Sequence, residues 1–192
     1  MTQPNAATQG PITIEVRPAA PSDAPAIAAI AQEVHEFHAR ALPAVFRSPS
    51  RIVVTPQDVV RQLETPRHTV LVAFDDGELV GYAMAEEQEE GALAFKRPAI
   101  YLYVHVMGVT EGHRSRGIGR ALLAALRDQA AARGLTGVTL DVYAFNTGAR
   151  AFYEREGFAP LRERMLLRTQ EPRPAGNERR TSPRPPRSNT PP

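Results

Sequence analysis

Between residues 99 and 132 the chain passes from a largely apolar run, through a turn rich in glycine and arginine, into an alanine-rich helical pattern. This succession constrains the fold more than any other feature. Ala99–Val109 is long and apolar enough for a central strand, and Ile118 to Ala132 has helical spacing. Val138 to Val142 reads as the next strand. Strand, helix and strand in that order predict a parallel βαβ unit with a right-handed crossover.

A different pattern precedes this unit. Ile12, Ile14 and Val16 alternate with polar residues and predict a half-buried strand. Ser22 and Asp23 can cap a helix carrying Ile27, Ile30, Val34 and Phe37. A loop from Leu42 to Pro49 and a short helix after Pro56, with Val59, Val60 and Leu63, follow. The turn Asp75-Asp76-Gly77 joins two strands, Val70 to Phe74 and Leu79 to Ala85. Beyond the βαβ unit, Thr147 to Glu156 reads as a helix and Ala159 to Leu167 as one or two final strands. The order β-α-α-β-β-β-α-β-α-β predicts an α/β domain over 11–169. Its mixed central sheet would be antiparallel in the first half and parallel in the second, with flanking helices. Residues 1–10 and 170–192 hold too few large apolar residues to offset their ordering entropy, so both are expected to be disordered.

Composition narrows the chemistry. The 192 residues include no cysteine, which removes disulfides, thiolate metal sites and a cysteine acyl-enzyme. No G-x-S-x-G elbow occurs for a serine nucleophile. No apolar run approaches the ~20 residues of a membrane helix. The polar start MTQPNAATQG lacks the features of a secretory signal, so a cytoplasmic location is expected. From Gln170 onward five arginines face two glutamates, more than the whole chain's net charge of +2. The folded part is therefore near neutral, and basicity gives no argument for a nucleic-acid partner.

The turn itself, Val109 to Arg120, suits an anion. Gly117 and Gly119 permit close backbone approach, and the helix after them presents unpaired N–H groups at its positive end. A pyrophosphate fits such a place, with Arg114, Arg116 and Arg120 on hand for charge-assisted contacts. A P-loop would need Lys-Ser/Thr where Arg120-Ala121 stands, and the dinucleotide fingerprint would need glycine at Leu122. Asp141 lies near the spacing of a ribose-binding acid, yet a dinucleotide domain opens with its turn, whereas an antiparallel half precedes this one.

Arg114-Ser115-Arg116-Gly117-Ile118-Gly119 resembles the R-x-x-G-x-G/A pyrophosphate loop of the GCN5-related N-acetyltransferase (GNAT) superfamily. Asn146-Thr-Gly-Ala-Arg-Ala-Phe-Tyr153-Glu-Arg-Glu-Gly157-Phe158 is similar to that superfamily's second hallmark, N-x-x-A-x-x-[FLI]-Y-x-x-x-G-F. The resemblance implies a GNAT-like acyl-CoA N-acyltransferase fold. It also implies transfer of acetyl from acetyl-CoA, a cosubstrate, to a primary amine by direct attack in a ternary complex. The acceptor could be a small molecule or a protein amine, and a homodimer would be in keeping with the superfamily. The alternative is a module of the same fold that binds acyl-CoA without catalysis.

The resemblance further implies that backbone N–H groups from Met107, Gly108 and Val109 meet the carbonyl, and that residues 114–120 hold the pyrophosphate. It gives Tyr153 the task of protonating the leaving thiolate. Asn146 and Tyr153 are seven residues apart, within about 20° around a helix, so both could address one ligand. Asn146 could equally cap the helix, and Gly108 suits a β-bulge. The base is less constrained. Alternation puts Tyr101, Tyr103, His105 and Met107 on one face of the long strand, and Ile100, Leu102, Val104 and Val106 on the other. His105 is then the best-placed base. No acid occurs on this strand, unlike relatives that use a glutamate there, and Glu86 or Glu87 could act directly or through water. The run Glu86, Glu87, Glu89, Glu90 otherwise reads as a solvated hairpin end. His35-Glu36-Phe37-His38 is one residue short of H-E-x-x-H and has no third ligand, so no metal site is expected.

Overall fold

The computed structural model describes residues 13–48, 50, 52–91, 95 and 97–169. Ile12, Pro49 and both tails, 1–10 and 170–192, lie outside the described residues. Five strands, β1 (Ile14–Pro18), β2 (His68–Asp75), β3 (Glu78–Glu90), β4 (Ala99–Val109) and β5 (Gly137–Leu140), form one sheet in sequence order. The first three pairings are antiparallel, while β4 and β5 are parallel. Asp76 and Gly77 take left-handed φ values of 49° and 81°, as a tight β2–β3 hairpin requires.

Period-two alternation on β2 builds two apolar layers. Leu71 and Ala73 join Val80, Ala83, Leu102 and Val104 beneath α3 (Ile118–Ala132), which contributes Ile118, Leu122, Leu123 and Leu126. Val70, Val72 and Tyr82 pack instead with Ile27, Ile30 and Ala31 of α1 (Ala24–Ala41) and Val59 of α2 (Pro56–Glu64). The last helix, α4 (Thr147–Arg155), brings Phe152 and Tyr153 against the α3 layer.

Several local expectations are corrected. Asp23 does not cap α1 through its side chain. Its carboxylate accepts from Ala20 N at 2.7 Å and from Arg17 Nη1 and Nη2 at 2.8 and 3.0 Å, tying a 3-10 turn (Pro21–Asp23) to β1. β3 continues beyond Ala85 to Glu90, so the acidic run is itself strand, paired with β4 at the end of the β3–β4 hairpin. Residues 159–168 form no strand and are exposed throughout, including Leu161, Met165, Leu166 and Leu167. Strand propensity needs a neighbouring edge to satisfy its backbone, and no described strand pairs with this segment.

The bulge on β4 lies at His105, not Gly108. Ala85 pairs with Val104 and Met84 with Val106, leaving His105 as the extra residue, while Gly108 is in register with Tyr82. The extra residue reverses the alternation. Val106 packs on the α1 layer and Met107 on the α3 layer, the opposite of the faces expected for them. Gly108 is needed for another reason. A Cβ there would lie 2.8 Å from Val34 Cγ2 and 2.9 Å from Ile30 Cγ2, so glycine lets α1 approach the strand.

Candidate active site

The two strands of the parallel pair separate where chemistry was expected. Pairing of β4 with β5 ends at Val104 and Leu140, but β4 runs on to Val109. The edge of Met107 to Val109 is thereby released from the ladder with β5. It leads directly into the turn 110–117 and the start of α3.

That turn changes backbone hand twice before the helix. Ser115 has φ 63° and Gly117 has φ 91°, a change of hand that gathers successive backbone N–H groups into a concave nest. Gly117 is the N-cap of α3 and no side chain caps that end, so the opening N–H groups face outward with the helix dipole behind them. Gly119 serves packing. A Cβ on it would meet Phe152 Cζ at 3.2 Å, so its absence lets α4 close on α3.

The three arginines of the turn all have protein partners. Arg114 Nε donates to Val109 O at 3.2 Å. Arg116 Nη2 lies 2.9 Å from Asp75 Oδ2, an ion pair not aligned as a hydrogen bond, with the Asp75 carboxylate buried. Arg120 Nε donates to Glu156 Oε1 at 2.9 Å. They tie the turn to the ends of β4, β2 and α4. A guanidinium has five donors, so anchoring leaves some for an anion. Asp75 and Glu156 were missed as partners, since nothing local in the sequence links either one to this turn.

Asn146 caps α4, its Oδ1 accepting from Ala149 N at 3.1 Å. Tyr153 packs between Phe152 and Phe158, with ring centroids 5.2 and 5.6 Å away. Burial pushes its hydroxyl pKa up, so it stays protonated at neutral pH.

On the α1 side of the sheet, His105 and Glu86 come together with a residue the sequence reading passed over. Glu86 Oε2 lies 3.2 Å from His105 Nε2 and 3.0 Å from His68 Nε2. Glu86 Oε1 accepts from Gln88 Nε2 at 2.9 Å. The Gln88 amide and then His105 hold the Glu86 carboxyl below the usual carboxylate range, so it is an acceptor already occupied and a poor base. Tyr103 stands edge-on to His105 at 4.9 Å, and its hydroxyl donates to Asp141 Oδ2 at 3.2 Å. Glu87 turns away to Arg133 Nη1 at 3.2 Å, which takes it out of this group. Cross-strand register explains the omission of His68, because it is opposite Glu86 only once β2 and β3 pair.

A wall of rings borders this side. His38 on α1 contacts Phe37, Phe46, Tyr143 and Phe145 at 5.3 to 5.6 Å. It joins α1 and the loop after it with the segment after β5. His35 Nε2 faces Ser48 O at 3.2 Å and His38 Nδ1 faces Val34 O at 2.8 Å, so carbonyls engage both histidines of the H-E-F-H sequence. No described helix is long and apolar enough to cross a membrane.

Known proteins are similar to this chain in sequence and fold. The chain is 28% identical over 145 residues to an uncharacterised N-acetyltransferase, YhfO, of Bacillus subtilis, covering 76% of this chain and 89% of that one. It is 38% identical over 99 residues to the N-alpha-acetyltransferase RimI of Mycobacterium tuberculosis, 51% of this chain and 56% of that one. Among solved structures, a mutant of the BH1408 protein of Bacillus halodurans superposes with a TM-score of 0.77 at 27% identity, covering 81% of this chain and 99% of that one. The aminoglycoside N-acetyltransferase AAC(6')-Iy, in complex with CoA, has the same fold at a TM-score of 0.64 and 16% identity, over 86% and 99% of the two chains. The sequence pattern of the Acetyltransferase (GNAT) family matches residues 31–158. With the mixed sheet, the parted strands and the glycine turn, that match establishes that the chain belongs to the GNAT family and is an acyltransferase of the N-acetyltransferase type.

Proposed function

We propose that the chain transfers acetyl from acetyl-CoA to a primary amine by direct attack, with donor and acceptor bound together. The observation that carries this reading is the parting of β4 from β5 immediately before an uncapped, glycine-opened helix. In this reading the nest at 114–119 and the first turn of α3, Gly117 to Arg120, hold the pyrophosphate. N–H groups of the released edge, Met107 to Val109, receive the carbonyl oxygen as it gains charge. The free side of Asn146 faces the pantetheine arm.

The amine needs a lone pair to attack, so it must first lose a proton. His105 takes that proton and Glu86 steadies the imidazolium. As the new C–N bond forms and the C–S bond breaks, Tyr153 gives its proton to the leaving thiolate. Burial suits it to this, because a raised pKa keeps the proton in place until a thiolate develops. The acceptor enters past the rings of Phe37, Phe46, Tyr143 and Phe145, and either a small-molecule or a protein amine fits the chemistry. A second copy of the chain belongs to the same reading, seated on the exposed Leu161, Met165, Leu166 and Leu167. Light scattering at twice the chain's 21.0 kDa would support it, and the monomer mass would remove it.

The test is Tyr153→Phe, assayed by amine-dependent release of CoA across a panel of primary amines. We expect kcat to fall by about 10²-fold or more, with acetyl-CoA binding retained. Unchanged kcat would remove the tyrosine from the reaction. Release of CoA with no amine of the panel, from a protein that binds acetyl-CoA, would remove amine transfer from this reading.

A further inference from the structure

We propose that His68 is a positioning residue for His105, acting through Glu86. One carboxylate oxygen, Glu86 Oε2, is within 3.2 Å of the Nε2 of both histidines, and their rings are 6.4 Å apart. A carboxylate oxygen only accepts, so each Nε2 facing it carries a hydrogen. That fixes His105, when neutral, as the Nε2–H tautomer and puts its lone pair on Nδ1. The base is thus prepared on the nitrogen turned away from Glu86.

His68 makes this arrangement hold. Its side chain is 15% exposed and its Nδ1 is buried without a hydrogen-bond partner. A proton on that nitrogen would be an unsatisfied buried donor, so the hydrogen of a neutral His68 belongs on Nε2, 3.0 Å from Glu86 Oε2. With Gln88 on the other oxygen, Glu86 is gripped at both ends and stays aimed at His105. The other polar groups nearby are committed elsewhere. Tyr103 donates to Asp141, Arg67 pairs with Glu89, and Arg133 pairs with Thr69 and Glu87 on the opposite face of the sheet.

The kinetic consequence rests on the acyltransferase reading, but the tautomer can be read without turnover. Histidine-labelled full-length protein is compared with His68→Leu and His68→Gln by two-bond ¹H–¹⁵N spectra at about pH 8, where an ordinary histidine is neutral. We expect a pure Nε2–H tautomer at His105, a mixture in His68→Leu, and recovery in His68→Gln, whose amide donates from nearly the same place. With an acceptor in hand, His68→Leu should lower kcat about tenfold, the order of one hydrogen bond to a charged group. KM for acetyl-CoA should not change, and His68→Gln should restore kcat. Should His68→Leu not fold, His68→Asn takes its place, since its shorter amide cannot reach Glu86. An Nδ1–H tautomer at His105, or a tautomer and kcat indifferent to His68→Leu, would overturn the proposal. Failure of acetyl-CoA to bind would remove the proposed transfer from acetyl-CoA and leave the tautomer result standing.

Discussion

Gly108→Ala measures how closely α1 is pressed onto β4. The added methyl would sit 2.8 Å from Val34 Cγ2, 2.9 Å from Ile30 Cγ2 and 3.3 Å from Tyr82 Cε1. Ordinary carbon contacts are about 3.5–4.0 Å, so α1 or β4 must yield by somewhat under 1 Å. Such overpacking costs about 1–3 kcal/mol, while the stiffer unfolded chain returns about 0.4–1 kcal/mol. The expected net loss is about 1–2 kcal/mol, or roughly 2–8 °C in Tm for a domain of this size. Val34→Ala removes one of the two opposing methyls and identifies the source of the loss. In a double-mutant cycle read by urea unfolding, the pair should cost less than the sum of the singles by about 1 kcal/mol. Val34→Ala should also return part of the donor affinity lost when Gly108→Ala displaces the Met107–Val109 edge. A stable Gly108→Ala protein, or strictly additive losses, would refute the claim that α1 sets the position of this strand.

Three further outcomes follow from the anchors. Arg116→Met leaves the buried Asp75 carboxylate without its cation and should cost on the order of 3 kcal/mol in urea unfolding. Adding Asp75→Asn should recover part of that loss, and a double variant no better than the single would contradict the ion pair. Asp23 has its carboxyl held low, first by the Arg17 hydrogen bond. A lowered folded-state pKa stabilises above the unfolded value of about 3.9. The advantage of wild type over Asp23→Asn in Tm should therefore be full near neutral pH and fade as pH falls below about 4, and a gap that widens in acid would contradict the assignment. Because the Tyr153 hydroxyl is raised above its ordinary value, kcat should show no loss of that proton below about pH 10. A basic limb near neutrality that vanishes in Tyr153→Phe would show the opposite.

Local signals made much of this protein legible in its sequence. The bounds of β4 and α3 were read as they stand, because a long apolar run, two glycines and helical periodicity are all written in adjacent residues. The sharp entry into α3 was likewise readable from Gly117, which takes a left-handed φ at its N-cap. What escaped depends on register and approach. The bulge at His105 becomes visible only when β3 pairs with β4, and it moved Val106 and Met107 to faces that strict alternation denied them. Gly108 looked like a bulge residue because glycine marks both bulges and close contacts, and only the packing of Ile30 and Val34 separates the two. His68, Asp75 and Glu156 were missed for the same reason, since each meets its partner across the fold. The segment 159–168 carried strand-forming residues, but propensity without a partner edge does not make a strand.

The most direct test of the donor site is thermal unfolding with acetyl-CoA and with CoA, on wild type and on Gly117→Glu. Position 117 has φ 91° and caps α3, so glutamate there opposes the turn's geometry and sets a negative charge where the pyrophosphate would lie. At ligand about a hundredfold above Kd, binding adds roughly 2.7 kcal/mol, or about 5 to 11 °C. That shift is expected with both ligands in wild type, and its loss in a folded Gly117→Glu protein. A folded wild-type protein whose Tm moves with neither ligand would contradict it.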